Sequence, residues 1–337
     1  MVLFLIPVIF ISCFFAYPIA AILWNGLQSI DHFNQLTEVL RTPRSQKAIW
    51  FTFWQATVST VITVLVALPS AAIISRMKKR SRKWVRAVIT VPFVLPTIVV
   101  AGAFEAVFKQ LGIDNGPLSL HHTSWAIILA HVFFNYAVVA RTVGSFWSGL
   151  DYRVEEQARL LGANKWQAFW QVTFPALKPA IYASAVITYL FSFTSFGIIL
   201  VLGGPRKATL ETEIYRHAIT RSDFQSASSL ALLQLIAVLL LIVVSTRLER
   251  GKPAPKSISY RSSEQFSLKF RLTNWTFVSM FLGGPIMTLF LRSFSVGDGY
   301  GLSHYQALAY RVPQLPATAL NAILNSLIFA TVATFIA

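Results

Sequence analysis

Few polar side chains interrupt the long apolar stretches of this chain, and these are the residues that could act on another molecule. The clearest are Gln55, His131, Asn135 and Gln234. His131 and Asn135 are four positions apart, so on a helix they share one face. Amide and imidazole groups in such surroundings hydrogen-bond either a passing solute or a neighbouring helix. Both interpretations stay open for all four residues.

Sequence patterns for covalent or nucleotide chemistry are absent. There is no Gly-x-x-x-x-Gly-Lys-Ser/Thr run, no His-Glu-x-x-His and no Gly-x-Ser-x-Gly. The single cysteine, Cys13, lies in an apolar stretch, so thiols cannot build a metal cluster. Carboxylates, phenolates and imidazoles are not concentrated anywhere as a ferric ion would require. The sequence therefore predicts no enzyme, no cofactor and no resident metal.

One hydrophilic segment has the pattern of an ordered structure between two apolar stretches. Asp151 is placed to cap a helix that Gly162 would end, because glycine adopts the left-handed terminating conformation without cost. Proline at Pro175 and Pro179 then marks the entry to the next apolar stretch. Four aromatic residues lie between the glycine and this entry: Trp166, Phe169, Trp170 and Phe174. The pattern predicts helix, glycine turn, second helix and membrane entry, either as a docking surface or as an interfacial loop with its aromatics at headgroup level.

Composition identifies the elements that would position these residues. The chain has 337 residues, of which 55% are hydrophobic and 12% are charged. Soluble domains carry about 25% charged residues, so this is an integral membrane protein. Eight stretches are long enough for apolar helices, and the alternation of a β-barrel is absent, which predicts an all-α protein. The stretches are Val2–Leu23, Ile49–Ile74, Ala87–Val107, Trp125–Trp147, Pro179–Leu202, Leu230–Thr246, Trp275–Leu291 and Ala319–Ala337.

The net charge of +16 is distributed according to membrane topology rather than nucleic-acid binding. Of the 29 Lys and Arg residues, the segments 76–86, 141–178 and 247–271 hold 7, 5 and 7. Loops rich in Lys and Arg face the cytoplasm, so the N-terminus is expected on that side. The basic run from Arg76 to Lys83 would lie against anionic lipid headgroups.

The chain divides into two units. Residues 1–249 hold six apolar stretches, and residues 250–274 are a hydrophilic, Ser-rich cytoplasmic linker with Pro253 and Pro255. Residues 275–337 then hold the last two stretches.

The second unit reads as a restart of the first. The sequence around Pro18 is similar to that around Pro285, and the segment from Ala56 is similar to that from Ala330. Parallel repeats of this kind are one way to build a transporter. Because Ala337 falls inside the eighth stretch, the second unit is expected to be incomplete in this sequence.

The hydrophilic segment resembles the signature loop of permease subunits of binding-protein-dependent ABC importers. Glu156, Ala158, Gly162 and Pro175 stand in register with that signature. Three positions depart from it: Gln157, Val172 and Phe174. After the fifth stretch, Gly203-Gly204-Pro205 and the later restart resemble the fused, two-lobed permeases for ferric iron and thiamine.

This resemblance implies a six-helix type I ABC permease unit, followed by the first two helices of a second unit. It implies that Glu156 accepts hydrogen bonds that hold the two short helices together, and that Ala158 is small to allow close approach. Gly162, Trp166, Phe169 and Pro175 would complete a docking loop for a cytosolic ABC ATPase dimer. An extracytoplasmic solute-binding protein would deliver the solute, and the chain would be a multi-pass protein of the bacterial inner membrane.

The expected function is ATP-driven import of a small solute, with ferric iron first and thiamine next, by subfamily resemblance. ATP hydrolysis would belong to a separate chain. The alternatives are a secondary transporter driven by an ion gradient, and a nonfunctional fragment of a fused permease.

Overall fold

The structure is a computed structural model, and it describes residues 2–27, 37–249, 266–297, 299–311 and 316–336. The described chain is almost entirely helical. Within the described residues one hairpin pairs β1 (Ser295–Val296) with β2 (Gly299–Tyr300) in antiparallel fashion. The all-α fold class predicted from composition is confirmed.

The helices with described bounds are numbered in chain order. The first half contains α1 (Val2–Ile11), α2 (Tyr17–Leu27), α3 (Pro43–Ser75), α4 (Lys79–Val94), α5 (Thr97–Gln110), α6 (Ser124–Trp147), α7 (Tyr152–Leu160) and α8 (Lys165–Ala168). The second half contains α9 (Phe174–Phe193), α10 (Gly197–Leu202), α11 (Leu210–Tyr215), α12 (Phe224–Glu249), α13 (Leu268–Phe294), α14 (Ser303–Ala307) and α15 (Ala319–Ile336). Three short π-helical segments occur at Ser12–Ala16, Phe169–Thr173 and Arg216–Thr220.

Six helical segments in the described chain are long and apolar enough to cross a membrane, and not eight as the sequence suggested. They are Pro43–Ser75, Ser124–Trp147, Lys165–Phe193, Phe224–Arg247, Leu268–Phe294 and Ala319–Ile336. The pair α4 and α5 passes the same test together but is bent by 92°. At the N-terminus the apolar helical stretch is shorter, Pro7–Ala21.

The bend between α4 and α5 corrects the straight span expected at Ala87–Val107. It lies at Leu95 and Pro96, whose backbones are extended, with ψ of 139° and 138°. The ring of a proline disfavours the helical conformation of the residue before it, and proline cannot donate a helical hydrogen bond. Pro96 thereby ends α4 and lets α5 start in a new direction.

The fifth span also differs from its expected bounds of Pro179–Leu202. The helix starts at Lys165 and ends at Phe193, and α10 is a separate short helix. The last turn of the helix that ends at Phe193 is closed by the Thr194 hydroxyl, which donates to the Leu190 carbonyl at 2.9 Å. The chain therefore leaves the span about two turns earlier than hydropathy alone indicates.

The core of the first part of the chain is the packing of α3 on α6, with α9 against both. Both long helices begin at a threonine cap: Thr42 accepts from the Ser45 amide, and Thr123 accepts from the Ala126 amide. Pro43 occupies the first turn of α3, where a missing N–H costs little. The interface is rich in small side chains, which lets the helices approach closely.

Compactness divides the described chain into two units, Met1–Leu282 and Gly283–Ala337. The boundary lies within α13 and does not coincide with the linker expected at 250–274. Residues 250–265 lie outside the described part, and the helix expected from Trp275 already begins at Leu268. The start of α13 belongs to the first unit because Asn274 Nδ2 donates to Ser70 Oγ on α3 at 2.8 Å.

Candidate docking surface and buried polar network

The segment after α6 forms a short helix, α7, with a defined start and end. The Asp151 carboxylate accepts from the Arg153 amide at 3.0 Å, as the predicted cap requires. At the other end Gly162 has φ of +99°. The Gly162 amide donates to the Arg159 carbonyl and the Ala163 amide to the Ala158 carbonyl, each at 3.1 Å. This pair of bonds is a Schellman motif, which depends on a residue that tolerates positive φ.

One face of α7 is fixed to the membrane helices. The Tyr152 hydroxyl lies 3.1 Å from Ser75 Oγ at the end of α3. Glu155 Oε2 accepts from the Thr173 hydroxyl at 2.8 Å, and Glu155 Oε1 lies 4.0 Å from Arg76 Nη2. Glu155 therefore links α7 both to the end of α3 and to the helix that leads into α9.

The family resemblance implied that Glu156 accepts the hydrogen bonds that join the two short helices. In the structure Glu155 makes this connection, while the Glu156 side chain is exposed. The register explains the difference, because Glu155 lies one turn after Tyr152 and shares its buried face. The spacing of Tyr152 and Glu155, one helical turn apart, is the feature of the sequence that indicates Glu155 instead.

The opposite side of the segment presents apolar side chains to solvent. Leu160 is 87% exposed and Leu161 is 89% exposed, at the end of α7 next to Gly162. Trp166 on α8 is 69% exposed, and Ala158 is half-buried beneath this surface. We call Leu160, Leu161 and Trp166 the apolar knuckle.

An aromatic row connects the knuckle to the membrane helix. Trp166 and Trp170 have ring centroids 5.6 Å apart, and Trp170 and Phe174 have centroids 4.7 Å apart. Phe169 lies 6.1 Å from Trp147 at the end of α6. The row gives the exposed surface a rigid base made of large side chains.

The second short helix, predicted to lead into the membrane at Pro175 and Pro179, is continuous with the span. Residues Lys165–Phe193 form one helical segment, and Phe169–Thr173 is a π-helical turn within it. The Phe174 amide donates to the Phe169 carbonyl, five residues back. This widened turn lies directly before Pro175, whose ring would clash with the carbonyl four residues back in a regular helix. Pro175 is thus accommodated by the wider turn, and the helix stays unbroken.

The four polar residues predicted inside the apolar stretches are all buried, and each is hydrogen-bonded to another element. Gln55 Nε2 donates to the Ser192 carbonyl at 2.8 Å, and Asn135 Nδ2 donates to Ser192 Oγ at 3.3 Å. His131 Nδ1 lies 3.2 Å from Ser59 Oγ. Gln234 Nε2 donates to Glu211 Oε1 at 2.6 Å. The first three of these bonds join α3, α6 and α9 to one another, and the fourth joins α11 to α12.

This network fits the interpretation of polar residues as links between helices. A side-chain atom of each still has no hydrogen-bond partner within the described chain: Gln55 Oε1, His131 Nε2, Asn135 Oδ1 and Gln234 Oε1. Gln55 and Asn135 converge on the same residue, Ser192, so α3 and α6 hold α9 at one point. The sequence indicated the residue types but not this shared partner.

The opposite end of the first unit contains an ion cluster that the sequence analysis missed. Glu213 is 1% exposed, and its carboxylate accepts from Arg44 Nε at 2.8 Å and Arg216 Nε at 2.9 Å. Burial alone would raise the pKa of Glu213, but the hydrogen bonds and charges of the two arginines lower it below its ordinary value. Nearby, His217 Nδ1 lies 3.0 Å from Asp223 Oδ2.

Comparisons with known proteins identify the architecture. The family model for the binding-protein-dependent transport system inner membrane component matches residues 59–250. The molybdenum transport system permease protein ModB of Mycobacterium tuberculosis is 32% identical over 223 residues, which cover 63% of this chain and 83% of the relative. The sulfate transport system permease protein CysT of Escherichia coli is 27% identical, covering 69% of this chain and 86% of the relative.

A longer relative matches more of the chain. The thiamine transport system permease protein ThiP of Haemophilus influenzae is 25% identical over 294 residues, which cover 82% of this chain and 55% of the relative. Among solved structures, a bacterial ABC transporter that imports the acidic polysaccharide alginate has a chain with TM-score 0.61 and 18% identity. That match covers 74% of this chain and 94% of the other, and at this identity it supports the fold. The chain belongs to the family of inner membrane components of binding-protein-dependent transport systems, as a multi-pass permease subunit that is not itself an enzyme.

Proposed function

We propose that the apolar knuckle docks on a cytosolic ABC ATPase dimer and transmits its closure to the membrane helices. The observation that carries this proposal is the two-sidedness of α7. Leu160 and Leu161 are almost fully exposed, while Tyr152 and Glu155 connect the same helix to α3 and to the start of α9. Displacement of such a helix moves the packed spans with it, since packed cores transmit strain as rigid bodies.

The docking loop predicted from sequence forms part of this surface. Glu156, Ala158 and Gly162 lie on α7 or at its end, and Trp166 lies on α8. Phe169 and Pro175 belong to the π-turn region that connects the loop to α9. In this proposal the ATPase contacts the knuckle, Gly162 fixes its shape and Pro175 sets its angle to the span.

The solute belongs to the small solutes carried by such importers, and an extracytoplasmic binding protein delivers it. The relatives are named for molybdenum, sulfate and thiamine transport. The thiamine alternative has support from the match to ThiP, whereas the initial preference for ferric iron rests on subfamily resemblance alone. Among the described residues no group of three or more His, Cys, Asp or Glu side chains is placed to hold a metal ion. Competition of unlabelled molybdate, sulfate, thiamine and ferric citrate against each labelled solute would assign the cargo.

The repeat in the sequence leads to a second proposal, that residues 275–337 begin a second permease unit after a cytoplasmic linker at 250–274. The apolar segments Leu268–Phe294 and Ala319–Ile336 are both long enough to span a membrane. They follow each other as the similar segments around Pro18 and Ala56 do at the start of the chain. The match to ThiP also covers more of the chain than the family model does. When the N-terminal stretch and the bent pair of α4 and α5 each cross once, six crossings precede α13 and both units run in the same direction. The loops rich in Lys and Arg then place the N-terminus in the cytoplasm.

The docking role is tested by making the knuckle polar. We expect Leu160→Ser with Leu161→Ser to abolish co-purification of the ATPase and solute uptake, while membrane insertion persists. Leu118, which is 82% exposed in the loop between α5 and α6, provides a matched control, and Leu118→Ser is expected to change neither. Normal uptake and normal co-purification of the double variant would refute the proposal.

A further inference from the structure

A basic surface, separate from the apolar knuckle, lies at the end of the bundle that carries α7. It is formed by the cations of α4 together with Arg141 of α6, and its members are Lys79, Arg80, Arg82, Lys83, Arg86 and Arg141. The charges of Arg82 and Arg141 lie close enough to Arg86 to repel it. No Asp or Glu lines this surface within the described chain. A cluster of like charges without a carboxylate is stabilised by an external anion.

Two of these cations have a restricted position. Arg86 is half-buried, and Arg141 Nη1 donates to Thr90 Oγ1 at 3.1 Å. This bond ties α6 to α4 and holds the Arg141 guanidinium beside the Arg86 side chain. Their fork-like donors suit the paired oxygens of a phosphate group.

The same two arginines stand at the rim of an apolar groove of about 940 Å³ between α4, α6 and α9. Most of the side chains that line it are hydrocarbon or aromatic, among them Phe93, Ala137, Val138, Ala183, Val186 and Ile187. The hydroxyls of Thr142, Ser145 and Ser245 also line the groove, but a small hydrophilic anion would lose hydration along the larger, apolar part of this wall. An acyl chain fills it at no polar cost. The shape therefore fits a molecule with an anionic head and a long apolar tail.

We propose that Arg86 and Arg141 bind the phosphate of an anionic phospholipid whose acyl chain occupies the groove between α4, α6 and α9. The headgroup lies at the membrane surface on the side of the apolar knuckle. Lys79 and Lys83 share a face of α4 with Arg86 and surround the headgroup. Because the lipid touches α4, α6 and α9 together, it stabilises the arrangement of the helices that α7 moves.

The test uses the full chain, purified together with the subunits that accompany it, and native mass spectrometry of bound lipid. Phosphatidylglycerol and phosphatidylcholine with identical acyl chains are compared. We expect retention of phosphatidylglycerol and not of phosphatidylcholine. Arg86→Gln with Arg141→Gln is expected to weaken phosphatidylglycerol binding by about tenfold or more, because both cations that attract the phosphate are removed.

Matched variants separate the site from general charge. Arg206→Gln with Lys207→Gln removes the same number of charges at the other end of the bundle and is expected to leave lipid retention unchanged. Arg86→Lys with Arg141→Lys keeps the charge and is expected to retain most of the binding. Should the double glutamine variant fail to fold, the single change Arg141→Gln at this exposed residue carries the test.

Three outcomes would overturn the proposal. The first is equal binding of the two lipids, and the second is undiminished phosphatidylglycerol binding by the arginine-to-glutamine variant. The third is displacement of the lipid by inorganic phosphate or sulfate when sodium chloride of equal ionic strength has no effect, which would assign the site to a free oxyanion. None of these outcomes depends on the docking role of α7, so the two proposals fail independently.

Discussion

At the scale of single residues, the carboxylate of Glu213 joins the start of α3 to the region between the last spans of the first unit. It is buried, and it accepts hydrogen bonds from Arg44 and Arg216, of which Arg44 is largely exposed. The neighbouring Glu211 behaves in the opposite way, because burial raises its pKa while its hydrogen bond from Gln234 opposes the shift. The pKa values of two carboxylates on one short helix are therefore displaced in opposite directions because their partners differ.

Glu213→Gln is expected to lower the stability of the folded chain by about 1–3 kcal/mol at pH 7, because it removes charge-assisted hydrogen bonds from two arginines. The pKa of Glu213 is lowered in the folded state relative to the ordinary value of 4.5. The stabilisation is therefore complete above pH 4.5 and is lost as the pH falls through the lower folded-state value. The apparent midpoint of thermal unfolding in detergent, followed by tryptophan fluorescence from pH 7 to pH 3, measures this difference.

The exposed Glu38 provides the control, since Glu38→Gln should leave the midpoint unchanged at every pH. A wild-type advantage over Glu213→Gln that stays constant down to pH 3 would show that the carboxylate charge is not its source.

At the scale of helices, the contact between α3 and α6 depends on close backbone approach. A β-carbon added at Gly144 on α6 would lie 3.2 Å from the Ala71 carbonyl oxygen and 3.2 Å from Ile74 Cγ2. Gly102 on α5 is also helical, and a β-carbon there would have no heavy atom within 4 Å. The two glycines share a backbone conformation and differ in their surroundings.

Gly144→Val is expected to destabilise the chain by about 1–3 kcal/mol, because overpacking forces α3 and α6 apart. Gly102→Val has the same backbone and rotamer effects without the clash. Its free energy of unfolding should remain within about 1 kcal/mol of the wild-type value. Thermal unfolding of the two purified variants in one detergent gives the comparison. Equal midpoints for both would mean that the α3–α6 contact adapts to an added side chain.

The helices show where sequence reasoning succeeds and where it stops. Hydropathy placed α6 within a residue of its true start, because a threonine cap and a continuous apolar run agree there. It missed the break at Pro96, since hydropathy stays high through the bend and only the backbone of the residues around it changes. In the docking loop, the residue pattern located the helix-ending turn at Gly162. The family resemblance, however, assigned the carboxylate that joins the two short helices to Glu156 rather than Glu155. That choice depends on which face of α7 meets α3, and tertiary packing decides it.

At the scale of the whole chain, the described helices of the first unit place two kinds of surface at opposite ends. The loop that contains Leu118 precedes α6, and the knuckle follows α6 and the short linker to α7. A helix of 24 residues separates them, which is about 36 Å and enough to cross the hydrocarbon core. The Lys and Arg side chains of α4 lie on the knuckle side, which the positive-inside rule therefore predicts to face the cytoplasm.

This arrangement predicts the accessibility of single cysteines in intact bacterial cells. In a background with Cys13→Ser, Leu118→Cys should react with a membrane-impermeant thiol reagent before the inner membrane is permeabilised. Leu160→Cys should react only afterwards, because the proposed orientation places the knuckle in the cytoplasm. Both side chains are more than four-fifths exposed in the chain by itself, at 82% and 87%, and expression without the ATPase keeps the knuckle uncovered, so burial does not account for a difference in labelling. Labelling of Leu160→Cys in intact cells would invert the orientation and remove the knuckle from reach of a cytosolic ATPase. Labelling of Leu118→Cys but not of Leu160→Cys in intact cells would place the knuckle on the cytoplasmic side, together with the basic surface that contains Arg86 and Arg141. The docking surface and the lipid site would then act on the same helices from the same side.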